Sequence, residues 1–138
     1  MKHYLLDTNV VIDLLLDRDG ADAAGALFDG AERGEYVLSL CSLSYTNIYY
    51  SLRKYLSHEE RIGCLAQLGE VLHTASVDGK VVSAALRSGW RDFEDAIQYY
   101  AAEMSGITDG IITRNEKDFR MSDIPVISPF EFVKRFTV

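Results

Sequence analysis

Tyr4-Leu5-Leu6-Asp7-Thr8-Asn9-Val10-Val11-Ile12 changes its period within nine residues. The three large apolar residues read as a short buried strand. Asp7-Thr8 is a pair that starts helices, and the apolar-rich stretch from Asn9 to Leu16 is the helix that follows. The remainder of the chain repeats this alternation. Asp22 to Arg33 is alanine-rich and helix-prone, with Gly34 as its stop, and Tyr36-Val37-Leu38-Ser39-Leu40 is a second strand. Tyr45, Ile48, Tyr49, Leu52 and Leu56 recur at helical spacing and mark one apolar face. Ser57 and Glu60 form a capping-box pattern that opens a helix to about Glu70. Val71 to Val77 reads as a third strand, and a short helix runs from Lys80 to about Arg87 before a break at Gly89. A helix over Asp92 to Met104 carries Phe93, Ile97, Tyr100 and Met104 on one stripe and ends at Gly106. Gly110-Ile111-Ile112-Thr113 is a fourth strand and Pro125-Val126-Ile127 a fifth. Ser128-Pro129-Phe130-Glu131 combines a second capping box with proline at the first helical position, so a last helix runs to the C-terminus. Strands alternating with helices predict an α/β fold, with a parallel sheet of about five strands covered on both faces.

With 138 residues, the chain is long enough to bury roughly two thirds of its unfolded surface in one core, so a single domain over residues 1–138 is expected. Hydrophobic residues make up 48% and charged residues 25%, a composition that excludes a disordered polyelectrolyte. Val10-Val11-Ile12, extended past Asp13 by Leu14-Leu15-Leu16, is too short and interrupted to cross a bilayer. The first residues lack the continuous apolar region of a secretion signal, which leads to the expectation of a cytoplasmic protein without a membrane partner. Cys41 and Cys64 have no CxxC spacing and read as small apolar residues.

The charge balance narrows the function further. A net charge of −7 argues against generic electrostatic binding of nucleic acid, which demands a basic surface. The basic residues are unevenly spread, however. Arg87 and Arg91 precede one acidic cluster, and Arg114, Lys117 and Arg120 interleave with another.

In parallel sheets of this kind, sites form outside the carboxyl ends of the strands. Asp7 directly follows the first strand, although on its tripeptide alone a helix N-cap accounts for it. Asp92, Glu94 and Asp95 crowd the first turn of their helix, where the macrodipole favours carboxylates. Asp92 and Asp95 share a face, and because this helix leads into the fourth strand, its N-terminus lies at the same edge as Asp7. The loop from Thr113 through Arg114, Asn115 and Lys117 to Asp118 leaves the fourth strand there as well. Three carboxylate sources at one edge repel one another unless a cation intervenes. Oxygen donors without His or Cys point to Mg²⁺ or Mn²⁺ rather than zinc.

These segments resemble PIN-domain ribonucleases. The resemblance rests on Leu5-Leu6-Asp7-Thr8-Asn9, on Asp92-Phe93-Glu94-Asp95-Ala96-Ile97-Gln98-Tyr99, on Ile111 to Phe119 and on Ile124-Pro125-Val126-Ile127-Ser128-Pro129, in that order along nearly the whole chain. It implies a three-layer α/β/α sandwich and Mg²⁺- or Mn²⁺-dependent cleavage of RNA. It also implies kinship with VapC-type toxins, whose partners are antitoxins, and a homodimer as an arrangement. Carried over by position, Asp7, Asp95 and Asp118 match the metal-holding acids. Asn115 is their polar companion, and Thr8, Thr113 and Asp92 give support. The family's second acid falls at Asn47, a neutral amide that ligates or positions water without adding charge. Arg91, Arg114 and Lys117 are expected to bind substrate phosphate. The implied reaction is phosphodiester hydrolysis at a metal-activated water.

Two other phosphoryl-handling folds fit less well. A haloacid-dehalogenase-like phosphotransferase wants a second Asp two residues after the first, where this chain has Asn9, and a receiver domain wants paired acids after the first strand. The reading from another class is a weak or silent PIN fold that acts as a protein or RNA interaction module, motivated by Asn47 and the acidic charge.

Overall fold

Successive side chains of the first strand, β1 (His3–Leu6), are buried on opposite faces of the sheet. Tyr4 and Leu6 pack into one hydrophobic cluster and Leu5 into another, so both faces of the sheet are covered. The computed structural model describes residues 1–137. Its five strands are β1, β2 (Val37–Cys41), β3 (His73–Ala75), β4 (Gly110–Ile112) and β5 (Val126–Ile127). They lie in the order β3-β2-β1-β4-β5, and every neighbouring pair is parallel.

Helices α1 (Thr8–Leu15), α2 (Ala21–Glu32), α3 (Ser42–Ser51), α4 (His58–Val71) and α7 (Pro129–Thr137) supply the cluster on one face. Helices α5 (Gly79–Arg87) and α6 (Phe93–Met104) supply the other. The result is the three-layer α/β/α sandwich expected from the sequence. Leu5, Leu6, Ile111 and Ile112 in the two central strands have no exposed surface. Burying each such side chain stabilises the fold by about 1.5–3 kcal/mol.

The chain winds outward from β1 through β2 to β3, then crosses back to place β4 on the far side of β1. That reversal opens a crevice beyond the carboxyl ends of β1 and β4, the place where open α/β sheets bind ligands. Asp7 N–H donates to Ile112 O at 2.9 Å and holds the two strand ends together at this point.

Most boundaries follow the local signals. Ser57 and Glu60 close a reciprocal capping box at the start of α4, and Gly106, at φ +77°, ends α6 in a conformation that L side chains rarely adopt. Glu131 N–H donates to Ser128 Oγ, with Pro129 as the first residue of α7. The expected run to the C-terminus extends past the described residues only at Val138.

Three elements differ from expectation. The third strand keeps only His73–Ala75 because α4 continues through Val71. The third helix begins at Ser42 and ends at Ser51, leaving the buried Leu52 in a turn. On α6 the expected apolar stripe is not the core face, since Phe93 is 50% and Met104 48% exposed. The buried side is Ala96, Ile97, Gln98, Tyr99, Ala101 and Ala102. Its alanines let the helix lie close on the sheet.

Candidate active site

Asp7 occupies the N-cap position of α1 but makes no side-chain cap hydrogen bond. Its carboxylate, 2% exposed, instead accepts from Gln98 Nε2 at 3.1 Å through Oδ1 and from Thr113 Oγ1 at 2.7 Å through Oδ2. Burial pushes this carboxyl up. The bonds from Thr113 and Gln98 and the nearby Asn9 amide pull it down, and the charge on Asp118 adds to the rise.

Gln98 and Thr113 are themselves fixed. Gln98 Oε1 accepts from Thr8 N at 3.1 Å and from Thr8 Oγ1 at 3.3 Å, and Thr8 Oγ1 meets Ser44 Oγ at 2.6 Å. Thr113 Oγ1 accepts from Asn115 N at 3.0 Å. Asp7 is thus held by groups from α1, α3, α6 and the end of β4.

Asp92 is the N-cap of α6, where its Oδ1 accepts from Asp95 N at 2.9 Å. That bond leaves the Asp95 carboxylate free of capping duty. Burial and the charges on Asp92, Asp7, Asp118 and Glu94 push the Asp95 carboxyl up to about 7. Asp118 lies on an exposed 3-10 turn, Glu116–Phe119, which is anchored by Phe119 at 1% exposure and by Asp118 N donating to Asn115 O at 2.9 Å.

A cleft of ≈ 290 Å³ has Asp92, Asp95 and Asp118 on its walls together with Arg91, Lys117 and Arg120, and Trp90 and Met121 complete it. Acid and base therefore meet at one place on an otherwise anionic chain. Arg114 goes elsewhere: its Nη2 donates to Asp13 Oδ1 at 3.1 Å and its Nε pairs with Asp13 Oδ2. Asn47 lines a neighbouring cavity with Ser44, Glu94 and Gln98 rather than the Asp95–Asp118 cleft.

Gln98 and Glu94 were not singled out by sequence reasoning. A glutamine amid alanines on the buried side, three residues after Asp95, was the available signal for the first.

Among the described residues, no three His, Cys, Asp or Glu side chains are gathered tightly enough to grip a metal ion as they stand. The donor chemistry nevertheless suits one. Asp7, Asp95 and Asp118 are oxygen donors, the charge on Asp118 raises the pKa of both Asp7 and Asp95, and all the charged groups acting on Asp95 are anionic. A hard divalent cation is the partner such a set favours.

A family model described as PIN domain matches residues 3–117. Comparison with curated proteins returns no match. Among solved structures, VapBC2 from Rickettsia felis, bound to a DNA fragment from its promoter, matches with TM-score 0.67 at 14% identity, covering 91% of this chain and 98% of that one. A toxin–antitoxin complex from Klebsiella pneumoniae matches with TM-score 0.66 at 23% identity, covering 91% and 97%. FitAcB from Neisseria gonorrhoeae matches with TM-score 0.62 at 17% identity, covering 92% and 98%. At these identities the likeness to solved structures concerns the fold.

Proposed function

Because the chain belongs to the PIN domain family, we propose that it is a divalent-metal-dependent endoribonuclease whose centre is built on Asp7, Asp95 and Asp118. The observation that carries this reading is the Asp95 carboxyl, pushed up to about 7 by burial and by the charges of Asp92, Asp7 and Asp118, in a cleft that it shares with Asp118 and with basic residues. Mg²⁺ or Mn²⁺ held by these acids would lower the pKa of an attacking water and neutralise negative charge that develops on the phosphoryl oxygens.

The chain's own residues do the rest. Asp7, locked by Gln98 and Thr113, cannot swing away, and so offers its carboxylate in one orientation. Asp95 and Asp118 complete the donor set from the cleft walls, while Asp92 orients the first turn of α6 and Asn115 the turn that carries Asp118. Arg91, Lys117 and Arg120 hold the RNA phosphates against mutual repulsion with the acids. Arg114 serves the site indirectly by fixing the loop after β4 to Asp13.

The Klebsiella pneumoniae neighbour is part of a toxin–antitoxin complex, which supports a toxin role here, with an antitoxin as partner. A homodimer is the proposed assembly, readable by light scattering on the purified chain.

The test follows melting temperature and cleavage of a labelled mixed RNA together as Mn²⁺ is added. At metal a hundredfold above its dissociation constant, the folded state should gain about 2.7 kcal/mol, and cleavage should appear over the same concentrations. Neither response at millimolar metal would leave the second reading, a silent interaction module, which the neutral Asn47 favours.

A further inference from the structure

Trp90 has no task in the chemistry described above, yet it lines the cleft that holds Asp95 and Asp118. Its position is fixed from several sides. It follows Gly89, at φ +75°, in the turn between α5 and α6, and its N–H donates to Ser88 Oγ at 3.1 Å. The indole stacks on Tyr99 with ring centroids 5.0 Å apart and meets Phe119 edge-on at 5.7 Å. Both of those rings belong to the hydrophobic core behind the cleft, whereas Trp90 itself is only half-buried. Met121, 52% exposed, is the other apolar side chain of the cleft.

Charge decides what this apolar pair is suited to hold. The remaining residues of the cleft are three acids, Asp92, Asp95 and Asp118, and three bases, Arg91, Lys117 and Arg120. A protein that grips nucleic acid through its phosphates alone needs a surplus of cations. Here the signs balance, on a chain whose net charge is −7. Affinity therefore has to come from a contact that the acids do not weaken. A nucleobase stacked on an aromatic ring is such a contact, and it tightens binding roughly 5- to 150-fold per base. A methionine beside the ring adapts its shape to the base and makes favourable sulfur contacts with it.

Resting on the reading of this cleft as the RNA site, we propose that Trp90, with Met121, is the platform for one unpaired base of the substrate, adjoining the phosphate that reaches Asp95 and Asp118. A base inside a duplex has its faces covered by its neighbours, so the strand has to offer an unpaired nucleotide where it is cut. Trp90 is then a specificity-determining residue, and the bases of the cleft wall only guide the backbone.

Equilibrium filter binding in chelator tests this on the intact chain, under conditions that leave the strand whole. The probes are a short oligoadenylate, a ribose–phosphate strand of the same length without bases, and an adenylate–uridylate duplex. The unaltered chain should bind oligoadenylate roughly 5- to 150-fold more tightly than either of the others. Trp90→Leu should abolish that preference while binding the base-free strand as before, and Trp90→Phe, which keeps a ring, should restore most of it. Equal binding of oligoadenylate and the base-free strand by the unaltered chain overturns the proposal, and so does a duplex held as tightly as the single strand. A Trp90→Leu chain that loses both strands alike also overturns it, because the ring would then be structural. If the unaltered chain binds all three probes alike and still cleaves mixed RNA in Mn²⁺, only the role of Trp90 falls; if it binds none of them and cleaves nothing, the RNA-cleaving reading falls with it.

Discussion

Gln98 uses both ends of its amide at once, donating to Asp7 while accepting from two groups of Thr8. It is 2% exposed, so no water replaces a lost partner without rearrangement. Gln98→Leu keeps the volume and removes the bonds. Each buried group left unsatisfied costs roughly 1–3 kcal/mol, so urea denaturation should show a loss of at least that size, and Mn²⁺ affinity should fall because Asp7 is no longer held. A variant with unaltered stability would mean that Asp7 and Thr8 find other partners. Asp7, Asp95 and Asp118 were legible in the sequence because each follows a strand or opens a helix at one predictable edge. Gln98 was not, because a glutamine amid alanines signals at most a buried position, and the partner that gives it a task, Asp7, lies 91 residues away. Glu94 was visible only as a first-turn acid; the cavity it shares with Asn47 depends on how α3 and α6 meet.

Among the elements, α2 shows how local preference and packing diverge. Gly30 lies inside this helix, where alanine is worth up to about 1 kcal/mol more. A Cβ there, however, would overlap Tyr36 Oη. Tyr36 is held in place: it is 3% exposed, its hydroxyl donates to Leu27 O at 2.7 Å, and its ring packs edge-on against Phe132 of α7 at 5.0 Å. Gly30→Ala should therefore destabilise the protein by roughly 1–3 kcal/mol, as overpacked cores do. Thermal unfolding monitored by near-ultraviolet circular dichroism checks this, since the rings of Tyr4, Tyr36, Phe132 and Phe136 meet at the spot; a rise in stability would mean that Tyr36 moves aside. The start of α4 was readable because Ser57 and Glu60 are three residues apart and satisfy each other. The inward side of α6 was not, because its alanines give little periodic signal while Phe93 and Met104 imitate one. Likewise, nothing local in the sequence says that α4 rather than β3 takes Val71.

For the whole molecule, the site should set the pH dependence of stability. The Asp95 carboxyl stands at about 7 in the folded chain against 3.8 ordinarily, and those of Asp7 and Glu94 are raised as well. Between those values the folded state holds protons that the unfolded chain has released, so the site's contribution to metal-free stability should be full below about pH 4 and be lost as pH rises towards about 7. Asp95→Asn should flatten that decline, and saturating Mn²⁺ should reverse it, because metal displaces the same protons. Melting temperatures in chelator and in Mn²⁺ at matched pH values read both effects, and a metal-free profile that rises from pH 4 to 7 would contradict the assignment. A parallel sheet of about five strands was legible from alternation alone, whereas its order and the basic walls that offset a net charge of −7 required the three-dimensional arrangement, the latter of Arg91, Lys117 and Arg120. One wall of that cleft carries an instrument of its own. Trp90 is the sole tryptophan, stacked on Tyr99 with ring centroids 5.0 Å apart and facing the space shared by Asp95 and Asp118. The protein therefore needs no attached dye: its ultraviolet-excited emission arises beside the acids, and quenching or a colour shift of that emission reports occupancy of the cleft as it happens.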